Sequence, residues 1–389
     1  MIDPATRIAI IGGGIGGLVA ALALHRVGLN PVVHERAAAF EAVGAGISLS
    51  PNAVKGLAWL GLGPALARLA NEPLEQQLRH GRTGALLQAI DRRRTRETYG
   101  APYLQLHRAD LVAMLADALA QAGVAVQFGQ ALASIASDAD GVQLGFAGGG
   151  EAQADVAIGA DGLRSTVRAQ LFETRAPQFS GHVAWRALAP AAALPEEASA
   201  ALNINHLGQG RNIVCYPVRG GALVNVVALT ESASWAEESW SARAETAELA
   251  AHFAGWAPFV GKLIAALPED QLFRWGLFIR EPLTHWVAGR TALLGDAAHP
   301  MLPYMGQGAS CSIEDGVVLA RALSAADDVE AALARYQAAR QPRAGFLQAQ
   351  SNLGGARLHA INPDEFQPMD LKDEDALGIF RHDPVTADV

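Results

Sequence analysis

The chain has 389 residues, of which half are hydrophobic and 18% are charged, and its formal net charge is −9. This composition excludes an intrinsically disordered protein, and the length is sufficient for two domains. The longest basic run is Arg92-Arg93-Arg94, which is too short for a polyanion site, so we expect no nucleic-acid partner.

The two cysteines, Cys215 and Cys311, are too far apart in sequence for a CxxC pair and too few for a disulfide framework. We therefore predict a cytoplasmic location. The apolar stretch at 8–24 has no basic leader and contains five glycines. It predicts a buried strand followed by a helix, not a signal peptide or a membrane span, and we expect no membrane partner.

The first 35 residues predict a βαβ unit. The pattern indicates a strand at 7–11, a glycine-rich turn at 12–17, a helix at 18–27 and a second strand at 31–35. Farther along, the apolar spacing of 109–122 predicts a helix, and 124–128, 142–146 and 154–158 predict strands.

From about residue 177 to 282, short apolar runs alternate with Gly, Pro and Asn turns, which is typical of an antiparallel sheet. A buried strand returns at 291–294, and 327–360 is rich in helix formers. We therefore predict an α/β fold with three parts. They are a discontinuous Rossmann-like domain (1–75, 100–176 and 283–326), an inserted antiparallel β-sheet substrate domain (76–99 and 177–282) and a C-terminal helical segment (327–389).

The glycine-rich turn has the spacing of a dinucleotide-binding motif. Gly12 permits the tight turn, Gly14 lets the backbone approach a pyrophosphate, and Gly17 lets the helix pack on the strand. The helix N-terminus then directs amide N–H groups at the phosphates. Glu35 ends the second strand at the position of an acid that binds a ribose, so the sequence predicts a bound dinucleotide.

Three later strings narrow the prediction: LHRADL (106–111), ADGLRS (160–165) and GRTALLGDAAHP (289–300). With the glycine turn they resemble the class A FAD-dependent aromatic hydroxylases of the para-hydroxybenzoate hydroxylase type, over residues 7–325. The chain is most similar to the salicylate and 3-hydroxybenzoate hydroxylase branch. That similarity rests on GAGISLSPNA (44–53), YPVRGG (216–221), REPL (280–283) and GDAAHPMLPYMGQGA (295–309).

The resemblance implies an FAD-binding role for the Rossmann-like domain. Asp296 would bind the ribityl chain, Arg108 the pyrophosphate, and Asp161 with Gly162 both FAD and NAD(P)H. Residues 303–308 would pass along the isoalloxazine ring, with a helix N-terminus directed at it. The implied cofactor-binding residues are Gly12, Gly14, Gly17, Glu35, Arg36, Gly46, Arg108, Asp161, Gly162, Asp296, Pro303, Gly306, Gly308 and Ala309.

Some of these residues have simpler interpretations. Asp161 and Asp296 each lie between a strand and a helix, where either could be a helix N-cap. Arg108 could belong to an ordinary surface ion pair. His299 is interpreted as a structural or solvent-facing histidine.

The activity that the resemblance implies is aromatic hydroxylation. NADH or NADPH would reduce the flavin as a transient partner, O2 would give a flavin hydroperoxide, and this would attack the ring of a small aromatic acid such as salicylate or a hydroxybenzoate. No HxxxH or CxxC spacing suggests a metal, and none is expected. We expect a monomer or a homodimer.

The implied substrate-binding residues are Ser48, Asn212, Tyr216, Pro303 and Tyr304, with Asn212, Tyr216 and Pro303 as the catalytic set. Family members often have a histidine at the position of Asn212, and an asparagine cannot act as a base. Tyr216 is interpreted as a hydrogen-bonding residue or as core packing.

Three alternatives remain open. One is hydroxylation of a heteroaromatic compound of the urate or hydroxynicotinate type. Hydroxynicotinate-type relatives tend to carry histidines near the positions of Ser48 and Tyr304, which disfavours that substrate. The second is a flavin-binding relative that does not hydroxylate, although the WxWxIP string of the family's halogenases is absent from the sequence. The third is a flavin-binding protein without turnover.

Overall fold

The computed structural model describes residues 2–40, 45–235, 242–368 and 377–389. Gly44, the first residue of one matched string, lies outside the described residues, as does the segment 236–241 of the predicted substrate domain.

The secondary-structure elements are numbered in chain order. The strands are β1 (Ile8–Ile11), β2 (Pro31–His34), β3 (Gly46–Leu49), β4 (Glu75–His80), β5 (Leu86–Asp91), β6 (Leu104–His107), β7 (Ala125–Gln127), β8 (Leu132–Ser137), β9 (Val142–Phe146), β10 (Glu151–Ala154), β11 (Val156–Gly159), β12 (Gln178–Pro190), β13 (Leu202–Gly208), β14 (Arg211–Val218), β15 (Leu223–Glu231), β16 (Ala242–Arg243), β17 (Phe273–Ile279), β18 (Val287–Ala288) and β19 (Thr291–Leu293). The helices are α1 (Ile15–Arg26), α2 (Pro51–Trp59), α3 (Gly63–Leu69), α4 (Thr95–Tyr99), α5 (Arg108–Ala122), α6 (Thr166–Leu171), α7 (Glu196–Ser199), α8 (Thr246–His252), α9 (Pro258–Ala265), α10 (Gly308–Ser324) and α11 (Val329–Ala360).

The first sheet has the strand order β18-β19-β11-β1-β2-β7. All of its neighbouring strands are parallel except the edge strand β18. Every residue of β1 and β11 is buried, because helices cover a parallel sheet on both faces. Because β1, β11 and β19 are parallel neighbours, the residues after them lie at one edge of this sheet. Helix α1 packs against α5 and α10.

The second sheet has the order β16-β17-β12-β15-β14-β13-β4-β5 and is antiparallel apart from the β13–β4 pair. Its strands come from two separate parts of the chain, 75–91 and 178–279. On one face, alternate residues such as Trp185 and Val226 join a core with Phe253 of the segment after α8 and with Leu263 of α9. The opposite face is directed toward the parallel sheet and the turn at Pro303–Met305, since Leu302 and Tyr304 pack against it.

The fold class predicted from the sequence is confirmed: a parallel α/β part carries an inserted antiparallel sheet and is followed by a long helix. The domain boundaries themselves stay predictions. The helix-forming stretch predicted at 327–360 corresponds to α11, and the described residues beyond it form turns and a 3-10 helix at Pro363–Glu365. No helix among the described residues has the length and apolar character needed to span a membrane.

Candidate active site

The glycine turn between β1 and α1 has the close contacts that its spacing predicts. A Cβ atom on Gly12 would lie 2.4 Å from the Ala160 carbonyl oxygen, and one on Gly17 would lie 2.0 Å from the Gly12 carbonyl oxygen. Gly12 also has a φ of 111°, which favours glycine. A Cβ on Gly14 would meet no protein atom within 4 Å, so space for a pyrophosphate lies beside the N-terminus of α1.

Glu35 stabilises this turn through hydrogen bonds. Its carboxylate accepts hydrogen bonds from the backbone N–H of Gly13 at 2.6 Å and of Ala37 at 2.8 Å. Each oxygen keeps a further lone pair with which a ribose hydroxyl could bond. Arg36 is exposed beside it.

Asp161 contacts the start of helix α6. Its carboxylate accepts from the Ser165 hydroxyl and from the backbone N–H of Thr166 at 2.7 Å and of Val167 at 3.1 Å. The N-cap residue of α6 is Ser165, whose hydroxyl accepts from the Arg168 N–H at 2.8 Å, so the N-cap interpretation of Asp161 is wrong although its carboxylate contacts the same turn. Gly162 follows with a φ of 80°, and this turn lies next to Gly12 through the contact with Ala160.

Asp296 lies at the carboxyl end of the parallel sheet, in the 3-10 helix Gly295–Ala297 after β19. Solvent can reach the side chain, but the surrounding protein raises the pKa of its carboxyl, an effect that nearby Arg108 opposes. Burial likewise lowers the pKa of Arg108, while Asp296 raises it. Both side chains thus face a cleft walled by protein. Asp296 lines a pocket in that cleft with Phe278 and Leu302.

The flavin-facing turn predicted at 303–308 lies beside Asp296. Pro303–Met305 forms a 3-10 helix, Gly306 has a φ of 62°, and α10 begins at Gly308 and continues for 17 residues. A Cβ on Gly308 would lie 4.0 Å from Asp296 Oδ1. The N-terminal end of α10, which includes Ala309, therefore adjoins this carboxylate and can stabilise negative charge on a ring placed there.

A buried ionic network supports the turn from behind. Asp315 accepts from the Gly295 N–H at 3.0 Å, and its oxygens lie 2.6 Å from His299 Nε2 and 2.7 Å from Arg340 Nε. Arg340 also pairs with Glu314 at 2.7 Å. His299 is fully buried, so the solvent-facing interpretation is wrong, and the structural one stays a prediction.

Tyr216 lies where β14 meets β3. The Gly46 N–H donates to Asn225 Oδ1 at 2.7 Å, and a Cβ on Gly46 would lie 2.7 Å from the Tyr216 ring. Burial raises the pKa of Tyr216, while Arg186 and a hydrogen bond with Ser48 lower it. Ser48 and Tyr216 are therefore brought together. Gly46 is predicted to bind the cofactor, but its direct contacts are with Asn225 and Tyr216 of the antiparallel sheet.

Arg186 is a further candidate site residue, which the sequence pattern alone does not identify. It lies on β12, on the same face of the sheet as Val214 and Val227, and its guanidinium carbon is 4.8 Å from the centre of the Trp275 ring. Burial lowers the pKa of Arg186, and Tyr216 raises it. Within the described parts of the chain this guanidinium has no carboxylate partner.

Asn212 lies at the other end of this wall. Its Nδ2 donates to Asn205 Oδ1 at 3.0 Å, so its Oδ1 accepts from His359 Nε2 at 3.2 Å. The His359 ring packs 5.6 Å from Tyr304 and 5.0 Å from His182, centre to centre. His359 and His182 are also missed residues, because tertiary packing alone places α11 over β14.

The two polar ends of the wall are separated by an apolar strip. Asn212 and Tyr216 share one face of β14 and are about 13 Å apart along the strand, with Val214 between them. Ser48 lies at the Tyr216 end and Tyr304 at the Asn212 end. Arg186 pairs with Val227, the partner of Val214, so its backbone is level with the middle of the wall.

The family is shown by sequence comparison. A model of the FAD binding domain family matches residues 5–351. The chain is 41% identical to 3-amino-4-hydroxybenzoate 2-monooxygenase PtmB3 of Streptomyces platensis, over 91% of this chain and 88% of that protein. It is 37% identical to 3-hydroxybenzoate 6-hydroxylase 1 of Aquipseudomonas alcaligenes, over 88% of this chain and 87% of that protein.

Structural comparison gives the same fold. The structure of Klebsiella pneumoniae HpxO complexed with FAD and uric acid is similar with a TM-score of 0.84 and 31% identity, over 97% of this chain and 92% of that chain. The glycine turn, the open space beside Gly14 and the Asp296–Arg108 cleft fit the FAD that this family binds. The chain therefore belongs to the FAD binding domain family and is an FAD-dependent aromatic monooxygenase.

Proposed function

We propose that the enzyme hydroxylates a small aromatic acid of the hydroxybenzoate or salicylate type, with NADH or NADPH as reductant and O2 as co-substrate. The observation that carries this proposal is Arg186. A guanidinium walled by protein and without a carboxylate partner among the described residues is costly unless a ligand pairs with it. A substrate carboxylate supplies that partner with bidentate geometry.

The FAD would be held by the glycine turn, Glu35, Arg108, Asp296 and the N-terminus of α10. When bound it supplies the activation of O2 for transfer of one oxygen atom to the substrate. The protein contributes binding and orientation around that chemistry. Arg108 offers a positive charge to a pyrophosphate, and the carboxylate of Asp296 can accept hydrogen bonds from hydroxyl groups.

The substrate would lie against the sheet wall. Arg186 pairs with the carboxylate, Tyr216 and Ser48 offer hydroxyl groups beside it, and Val214 and Val227 cover the ring. An oxygen or nitrogen substituent at the far side of the ring would then reach Asn212. Since the side-chain amide retains one N–H and one lone pair, it can orient such a group, but it cannot remove a proton from it.

The test is oxidation of NADH or NADPH by the FAD-loaded enzyme with pairs of compounds. Each hydroxylated acid (3-amino-4-hydroxybenzoate, 3-hydroxybenzoate, salicylate) is compared with the same phenol without its carboxylate. We expect at least one acid to stimulate oxidation and give a hydroxylated product, and its phenol to be at least tenfold poorer in kcat/KM.

Arg186→Met is expected to abolish this preference by raising KM for the acid at least tenfold while FAD stays bound. Arg274→Met is the matched control, because Arg274 packs over Trp185 on the helix-covered face of the same sheet. Stimulation by phenols and acids alike, or an equal loss in both variants, would contradict the role of Arg186.

A heteroaromatic substrate is the second candidate, because the Asn212 amide can pair with a ring N–H and a ring carbonyl together. Urate and 6-hydroxynicotinate belong in the same assay, and stimulation by either one alone would favour this candidate. NADH oxidation that yields hydrogen peroxide with every compound, and no hydroxylated product, would indicate a relative that does not hydroxylate.

A further inference from the structure

We propose that His182, Glu231 and His359 form a binding site for a divalent transition-metal ion such as Zn2+. The three residues come from β12, the end of β15 and the last turns of α11, and their metal-ligating atoms all lie within 4.8 Å of one another. Two imidazoles and one carboxylate are a common ligand set for zinc. The site goes beyond the proposed hydroxylation, which requires no metal.

The backbone already holds the three ligands together. His182 and Glu231 are direct partners in the antiparallel register of β12 and β15, so their side chains project from the same face of the sheet. Gly210 links the backbone of His359 to that of Glu231. Its N–H donates to the His359 carbonyl at 3.0 Å, and its carbonyl accepts from the Glu231 N–H at 3.0 Å. The site therefore needs little ordering on binding.

The hydrogen bonds orient the lone pairs toward a cation. Asn212 Oδ1 accepts from His359 Nε2, so the neutral ring carries its free lone pair on Nδ1. That atom faces Glu231 Oε1 at 3.7 Å, which places two acceptors opposite each other. Nδ1 of His359 and Nδ1 of His182 are buried, and neither has a hydrogen-bond donor within the described residues. A metal ion between these atoms satisfies all of them.

The distances fit zinc after a small adjustment. Bonds of about 2.0–2.1 Å in a tetrahedral site place neighbouring ligand atoms about 3.4 Å apart. The His359–Glu231 separation of 3.7 Å is near this value. The Glu231 side chain is 59% exposed, so it can move by the remaining distance and also provides a path for the ion from solvent.

Asn212 would be an outer partner of the metal. An oxygen that accepts from the far nitrogen of a ligating histidine fixes the ring and raises its basicity, and loss of such a partner weakens metal affinity 10–100-fold. Through His359 the ion would connect α11 to the ends of β12 and β15. Bound zinc should therefore raise the unfolding temperature of the FAD-loaded enzyme.

The test uses the FAD-loaded enzyme, treated with a chelator, desalted and titrated calorimetrically with zinc chloride. We expect one zinc ion per chain in the wild type, and affinity at least tenfold weaker in Glu231→Gln and in His182→Ala. His252→Ala is the matched control and should retain wild-type affinity, because His252 lies beside Glu248 but joins no cluster of metal-ligating residues in the described parts of the chain.

Three results would overturn the site. The first is no stoichiometric zinc binding by the wild type, and the second is unchanged affinity in Glu231→Gln. The third is a loss in His252→Ala as large as in Glu231→Gln, which would indicate scattered surface binding. Because Glu231 is exposed, its variant is expected to fold even if His182→Ala does not, and the visible FAD spectrum checks this.

Discussion

Arg186 and Tyr216 each affect the pKa of the other. Burial disfavours both the guanidinium cation and the tyrosinate anion, yet each lies close enough to moderate the pKa of the other. Because the pKa of Tyr216 stays raised, its hydroxyl keeps its proton across the physiological range. Tyr216 is thus suited to donating a hydrogen bond to a substrate oxygen, not to acting as a base.

We predict that Tyr216→Phe leaves FAD bound and the fold intact but lowers substrate-stimulated NADH oxidation about tenfold in kcat/KM. The substitution removes the hydroxyl that bonds with Ser48 but keeps the ring that packs on Gly46. Steady-state kinetics with the best aromatic acid measure the effect.

Tyr336→Phe is the matched control for Tyr216→Phe. The Tyr336 hydroxyl donates to the Leu293 carbonyl at 2.9 Å in the buried core, so its loss should lower stability without changing KM. Wild-type kinetics in Tyr216→Phe would indicate that Tyr216 serves only in core packing.

At the scale of elements, the turn at 12–17 between β1 and α1 contains one glycine required for protein packing and another whose small size suits a ligand. Gly17 is needed by the protein itself, because any side chain there would overlap the Gly12 carbonyl. Gly14 has no such neighbour, so only a ligand can require its small size.

We predict opposite outcomes for two alanine substitutions in this turn. Gly14→Ala should keep the unfolding temperature of the apoprotein near that of the wild type but weaken FAD affinity at least tenfold, because a methyl group would occupy the pyrophosphate space. Gly17→Ala should lower the stability of the apoprotein itself. Thermal unfolding without FAD and titration with FAD distinguish the two, and a Gly14→Ala protein with normal FAD affinity would contradict the assignment.

These elements also show what the sequence could predict. The contact of Gly17 with Gly12 and the contacts of Asp161 with the start of α6 are local, because the partners lie within a few residues. Arg186 had only a weak signal, a charge within the alternating run VAWRALA (183–189), which does not say which face is covered by helices. His182, Glu231 and His359 had none, since 49 and 128 residues separate them in sequence. The pairing of β12 with β15 joins the first two, and the packing of α11 adds His359.

At the scale of the whole molecule, the network of Glu314, Asp315 and Arg340 joins α10 to α11 behind the turn at 303–308. Burial alone would raise the pKa of both carboxyls, but Arg340 with Arg343 lowers that of Glu314, and His299 with Arg340 lowers that of Asp315. A carboxyl whose folded pKa is lowered stabilises the fold above its unfolded pKa of about 4. This contribution disappears as the pH falls below that value.

We predict that Arg340→Met destabilises the enzyme by about 3–5 kcal/mol at pH 7, because it leaves two buried carboxylates without their shared cation. Urea unfolding measures the change. The wild type should itself lose stability steeply below about pH 4, as the lowered pKa values require. Arg7→Met, which breaks the exposed pair with Asp155, should leave the stability nearly unchanged and serves as the control.

The strand order of the parallel sheet has a consequence for biosynthesis. β1 is made first, but its neighbour β11 ends at Gly159, and β19 joins that strand only near residue 293. Helix α10, which packs on α1, is made later still. The glycine turn, Asp296 and the α10 N-terminus can therefore come together only after more than three quarters of the chain has been made, and we predict that FAD loading is a late step in maturation. C-terminally truncated chains that end before residue 290 should be released without cofactor.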